Sequence, residues 1–151
     1  FPDGSYRAYP NDEWNAWRNH LKGQMTPHNH FICVQSVVVD SRDQLWVLDP
    51  AAPNTDQFVP GGAKLVRIDP STNQVAQVIP FDESIAPRGS YLNDVRISPD
   101  RNYAYITDSG KGAIIVVDLR SGMARRLLSE HPFTKAEPNV VVKSDGKPLI
   151  R

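Results

Sequence analysis

The sequence predicts an all-β chain: about two complete four-stranded blades of a β-propeller, with a partial blade on either side. Three observations carry that prediction. Short runs rich in β-branched residues alternate with polar turns throughout the chain. Proline and glycine are plentiful, 13 and 9 of 151 residues, as short strands joined by turns require. Finally, one pattern of two hairpins occurs twice in the same order. A blade is a small twisted sheet with two apolar faces, and it buries them only by stacking on its neighbours. A repeat of roughly 50 residues holding four strands is the mark of that architecture.

The elements follow in order. Val37-Val38-Val39, a polar Asp40–Asp43 turn and Leu45–Leu48 read as one antiparallel hairpin. Lys64–Ile68, the cluster Asp69-Pro70-Ser71-Thr72-Asn73 and Val75–Ile79 make a second. Turn formation is favoured there because Pro fixes φ and the Asp, Ser and Asn side chains bond local backbone. Between the hairpins lies Pro50–Gly62, longer than an ordinary connection and expected to be a functional or interface loop.

Then the arrangement recurs. Gln35–Asp49 aligns with Asn93–Asp108, and Lys64–Ile79 aligns with Ala113–Leu128. A third copy starts at Asn139 as NVVVKSDGKPLIR and stops midway, and Gly4–Pro10 reads as the outermost strand of an earlier blade. Two unrelated hairpins in a β-sandwich would be the competing architecture. The same Asp after the second strand (Asp49, Asp108) and after the third (Asp69, Asp118) argues against it. One short helix is expected over Asn11–Arg18, capped by Asn11 or Asp12, with Trp14 and Trp17 on one face. The expected organisation is a single partial propeller domain. Residues 1–30 end a preceding blade and connect onward, 31–81 and 89–130 are blades, and 136–151 start the next.

Composition narrows the function. Lys plus Arg and Asp plus Glu both number 17, so no basic face exists to hold nucleic acid or an anionic membrane. No apolar run approaches the ~20 residues of a membrane-spanning helix. The single Cys33 excludes an internal disulfide and a Cys-built zinc site. The chain begins at Phe1-Pro2 and ends at Ile150-Arg151 within an apolar run, so both ends read as cut. Missing blades, or a second chain, are then expected to complete the ring.

The stretches VQSVVVDSRDQLWVLD, KLVRIDPSTNQV, YLNDVRISPDRNYAYITDSGKGAIIVVDL and YPNDEWNAW resemble the yellow and major royal jelly protein family, particularly its bacterial branch. The resemblance spans nearly the whole chain and implies part of a six-bladed propeller. It also implies a function from a broad range, in which some members bind small aromatic amines or lipids. It alone favours a secreted or periplasmic location; the paired cysteines of many animal members are missing here. More distantly, the chain is similar to gluconolactonase and regucalcin-like propellers (SMP-30-like), whose blade-start residues converge on a metal in a central funnel. By that analogy Asn139 is a metal ligand for a calcium- or zinc-like divalent ion, and Asn93 faces the substrate. Gln35 stands where those enzymes place a metal-binding Glu, and an amide lacks the charge that holds a hard cation.

Three functional readings follow: a small-molecule-binding propeller with its ligand at the funnel, a metal-dependent lactonase-like hydrolase, and a rigid interaction scaffold. The ligand-binding candidates are Asn93, Asp94 and Gln35. Each begins an inner strand, where a polar side chain either faces a funnel ligand or bonds local backbone. Asp49, Asp69, Asp108 and Asp118 are expected as structural turn caps, since a single site rarely needs its residue in every blade. His28 and His30, two apart on an extended segment, raise a metal reading without a third ligand at recognisable spacing. Cys33 between Ile32 and Val34 is expected to be a buried apolar residue. Tyr91, Phe31, Trp14 and Trp17 are candidates for an aromatic pocket.

Overall fold

The computed structural model describes residues 2–53, 57–137 and 140–149. Two four-stranded antiparallel sheets form its body. The first contains β1 (Ser36–Val39), β2 (Leu45–Asp49), β3 (Lys64–Asp69) and β4 (Gln74–Pro80). The second contains β5 (Leu92–Ile97), β6 (Tyr103–Asp108), β7 (Ala113–Asp118) and β8 (Ala124–Leu127), each sheet in simple up-and-down order. A short hairpin, β9 (Lys143–Ser144) with β10 (Lys147–Pro148), follows. The chain is thus part of a β-propeller, and every strand expected of the two repeats forms. Register repeats as well: Val37 faces Val47 in the first sheet as Val95 faces Ile106 in the second.

The sheets stack face to face through one apolar core. Trp46, Leu48, Leu65 and Ile79 from the first meet Val95, Ile106, Ile115 and Val117 from the second, all of them buried. Period-two alternation accounts for this selection, because alternate residues of a strand share a face. Each fully buried aliphatic side chain contributes roughly 1.5–3 kcal/mol of transfer free energy, which makes this stack the main stabilising feature.

The faces turned away from that stack differ. Tyr9, Trp14 and Phe31 cover the far face of the first sheet, packing against Val47, Val66 and Ile68, and the Trp14 and Phe31 rings lie 4.9 Å apart. Val37 and Val39 nevertheless remain 58% and 57% exposed, whereas Val95, the counterpart of Val37, is fully buried. On the far face of the second sheet Tyr105 is 46% exposed, although its counterpart Trp46 is 3% exposed. Both outward faces therefore keep the apolar character of surfaces that a propeller covers with further blades.

Two local expectations are corrected. No helix forms over Asn11–Arg18; residues 12–15 make tight turns instead, with Asn15 N bonded to Asp12 O and Ala16 N to Glu13 O. Asn11 Oδ1 does cap Trp14 N at 3.0 Å, but the segment is too short for helix propagation to offset nucleation. The Asn15 side chain then bonds the Tyr9 and Asn11 carbonyls, locking the turn. As a result Trp14 and Trp17 do not share a face: Trp14 packs on the first sheet and Trp17 joins the inter-sheet core. Gly4–Pro10 likewise forms no strand, and its Tyr9 covers a sheet face rather than extending a sheet edge.

Candidate functional site

Antiparallel order places the first residues of β1 and β5 at the same end of the two sheets, and these inner strands are neighbours. Gln35 immediately precedes β1 and Asn93 is the second residue of β5. The structure brings them together: Gln35 Nε2 donates to Asn93 Oδ1 at 3.0 Å. Tyr91 completes the cluster, its hydroxyl donating to Gln35 Oε1 at 2.6 Å. Both ends of the Gln35 amide are thereby held, and the residue serves as a bridge between the two blades.

A bulge shapes the second blade here. Leu92 faces Asp108 and Val95 faces Ile106, so β5 fits one residue more than β6 across this span. Asn93 and Asp94 absorb the surplus, and bulges of this kind re-aim side chains. Asp94 N donates to Thr107 Oγ1 at 3.2 Å, while its carboxylate is exposed and has no hydrogen bond or ion pair among the described residues. Asn139, the candidate metal ligand, lies outside the described residues.

Behind this cluster sits Asp108, buried at the end of β6. Its Oδ1 accepts from Tyr91 N at 2.9 Å, Gly110 N at 2.9 Å and Lys111 N at 3.1 Å, and Arg126 Nη1 lies 2.7 Å from Oδ2. Burial pushes its carboxyl pKa up. The neighbouring Ser90 hydroxyl, the Tyr91 and Lys111 amides and the Arg126 guanidinium outweigh burial, so the pKa falls below its ordinary value. Asp108 therefore stays ionised and fixes Tyr91, which in turn holds Gln35.

The first blade repeats the device. Asp49 accepts from Ile32 N at 2.7 Å, Cys33 N at 3.1 Å and Ala51 N at 2.9 Å, and its Oδ2 pairs with Lys64 Nζ at 3.0 Å. Cys33 thus occupies the place that Tyr91 takes in the second blade. Burial, followed by the charge of Asp49, raises its thiol pKa, which keeps it protonated and unreactive. Asp69 and Asp118 differ from this pair: they are partly covered and cap their own turns, through Ser71 N and through Arg120 N and Ser121 N. The repeated aspartates accordingly fall into two kinds, buried hubs and turn caps.

The histidines do not assemble. His30 Nδ1 lies 2.7 Å from the Thr26 carbonyl oxygen. Among the described residues, no three His, Cys, Asp or Glu side chains are placed to hold a metal ion. Pro50–Gly62 is anchored by Val59 N to Ala51 O and Gly62 N to Val59 O. It borders a cleft of about 460 Å³ with Asn19, Lys22 and Arg88, and neither Gln35 nor Asn93 lines that cleft. Sequence reasoning missed the Tyr91 hydroxyl bond, the bulge, and the cations on Asp49 and Asp108. Only the first left a signal, an aromatic residue two positions before Asn93.

Comparison with known proteins gives one family. No curated protein matches the chain. Among solved structures, Kuenenia stuttgartiensis hydrazine synthase is similar at 21% identity with a TM-score of 0.44, covering 62% of this chain and 22% of that chain. The chain thus spans less than a quarter of that protein's chain. The family description "Major royal jelly protein" matches residues 32–148. With most of its length inside that match, the chain belongs to the major royal jelly protein family.

Proposed function

We propose that this propeller binds a small polar molecule at the end of the sheets where β1 and β5 begin. The observation that carries the reading is the Tyr91–Gln35–Asn93 relay, which links two blades through side chains alone, beside an Asp94 carboxylate with no partner among the described residues. Two amides, a phenol and a carboxylate suit a ligand with hydrogen-bonding groups and a positive charge, such as a protonated amine. A structural bond at a strand start needs no such convergence from two blades. The second reading is a lactonase-like metal site; against it, Gln35 is engaged in the relay, and among the described residues no three His, Cys, Asp or Glu side chains are grouped to hold an ion.

The test is calorimetric titration of the full-length protein with tyramine as probe, in the unaltered protein and in Asn93→Ala and Tyr91→Phe. Expected is binding that weakens about tenfold or more in both variants, while stability falls by no more than about 1 kcal/mol, the net worth of one hydrogen bond. Absence of tyramine binding, or binding unchanged by both substitutions, would favour the scaffold reading. A calcium-dependent rise in melting temperature that EDTA reverses would favour the hydrolase.

A further inference from the structure

At the opposite end of the same two blades, we infer a binding site for a phosphoryl oxyanion, built by Arg67, Arg101 and Arg120. A cleft of about 190 Å³ opens there between the sheets, lined by these three arginines with Asp40, Trp46 and Gln77 among its walls. Each arginine comes from a different element: Arg67 from β3, Arg101 from the β5–β6 turn, Arg120 from the β7–β8 turn. All of these elements belong to the two complete blades, so the site needs no residue from elsewhere.

Three guanidinium groups line the cleft with one carboxylate, Asp40, which lies near Arg101 and already accepts from Arg42 N at 2.8 Å, Gln44 N at 3.2 Å and Trp46 Nε1 at 3.0 Å; Asp69 and Asp118 lie near Arg67 and Arg120 from outside the cleft lining. Among the described residues none of the three arginines forms an ion pair. Arg67 lies over the Trp46 ring at 5.8 Å, yet its Nε is buried with no hydrogen-bond partner among the described residues. A buried donor without a partner is costly, and clustered cations repel. An oxyanion relieves both. Guanidinium groups match the oxygens of a phosphoryl group bidentately.

The cleft is held open before anything binds. Gln77 Nε2 donates to Leu119 O at 3.0 Å, tying the Arg120 turn to the first blade. Leu119 N donates to Asn102 O at 2.9 Å, tying it to the Arg101 turn. Nor do the arginines belong to the repeat. Where the other blade is aligned, Arg67 corresponds to Val116, Arg101 to Asp43 and Arg120 to Ser71. Structural residues such as Asp49 and Asp108 recur, whereas these three are found once each. A void of about 150 Å³ admits a benzene-sized molecule, so this one accommodates a phosphate with a water or two.

The experiment is calorimetric titration of the full-length protein with sodium phosphate and, separately, glycerol 3-phosphate, at an ionic strength fixed with sodium chloride. The variant Arg101→Gln/Arg120→Gln changes only turn side chains and keeps the fold testable by melting. Expected is binding of at least one of the two ligands, weakened tenfold or more in the variant. Without ligand, the variant should melt within a few degrees of the unaltered protein, because both substitutions lie in turns and outside the apolar core. The tighter ligand assigns the source, free phosphate or a phosphate ester. No binding of either above the chloride control, or equal binding by the variant, overturns the site.

Discussion

Lys64 Nζ lies 3.0 Å from Asp49 Oδ2, with both side chains shut away from solvent, and the same ammonium donates to Gly62 O at 2.8 Å and Pro27 O at 3.1 Å. All three ammonium hydrogens are therefore placed. The second blade meets the same need from another strand: Arg126 on β8 pairs with Asp108, while Ala113 on β7 takes the place of Lys64. What the blades share is a buried carboxylate that gathers backbone amides, not the cation that balances it. Burial pulls the Lys64 pKa down and the Asp49 charge opposes this.

Removing one partner leaves the other buried and uncompensated. Lys64→Met should cost about 3–5 kcal/mol in denaturant unfolding. The double variant Asp49→Asn/Lys64→Met should recover a large part of that loss. A single variant within 1 kcal/mol of the unaltered protein would show that water reaches Asp49.

Acid should unfold the protein partly through Asp108. Its folded pKa is depressed below the ordinary 3.8, so the stability it contributes is fully present above that value. That stability is lost as pH falls from there through the lower folded value. Asp108→Asn should be less stable at neutral pH and should show a shallower stability loss below about pH 4. Identical pH slopes in the two proteins would remove Asp108 from the acid transition.

Gly110 offers a test of how the backbone supports the relay. A Cβ at this position would collide with the Gly89 carbonyl oxygen and lie 2.6 Å from Tyr91 N. Both obstacles are backbone, so the Tyr91 segment must shift. Gly110→Ala should cost on the order of 1–3 kcal/mol, as overpacking does. It should also weaken tyramine binding, if the relay holds the ligand, without touching any relay side chain. Unchanged stability by thermal melting would mean that the turn yields elsewhere.

Burial in the stack predicts a graded response across the second blade. Ile115, fully buried, should lose about 2–5 kcal/mol on substitution by Ala. Leu127, 46% exposed, should lose less than half of that in this chain. Equal losses in urea titrations would mean that the outward face is covered.

How much was legible follows from the range of each interaction. Leu45–Asp49 and Ala113–Asp118 were readable because alternation and turn residues are local, and their recurrence gave the blade. Asn11–Arg18 misled because its composition suits a helix, while the Asn15 side chain bonds that lock the turn depend on where Tyr9 lies. Gln35 and Asn93 could be singled out as residues that begin strands. That they bond each other could not, because 58 positions separate them and the contact exists only once two blades stack.

By itself, then, the sequence determined the strands of the two repeats, their order, the repeat itself and the aspartates that end β2 and β6, since these depend on period-two patterning and on turn chemistry. The tertiary structure alone decided which side chains meet. It set a bulge at Asn93–Asp94, joined Gln35 to Tyr91, and drew Arg67, Arg101 and Arg120 into one cleft. The physical reason is that both polar clusters are formed between blades. Their geometry is fixed by how two apolar faces pack, and that packing leaves no mark at any single position of the chain.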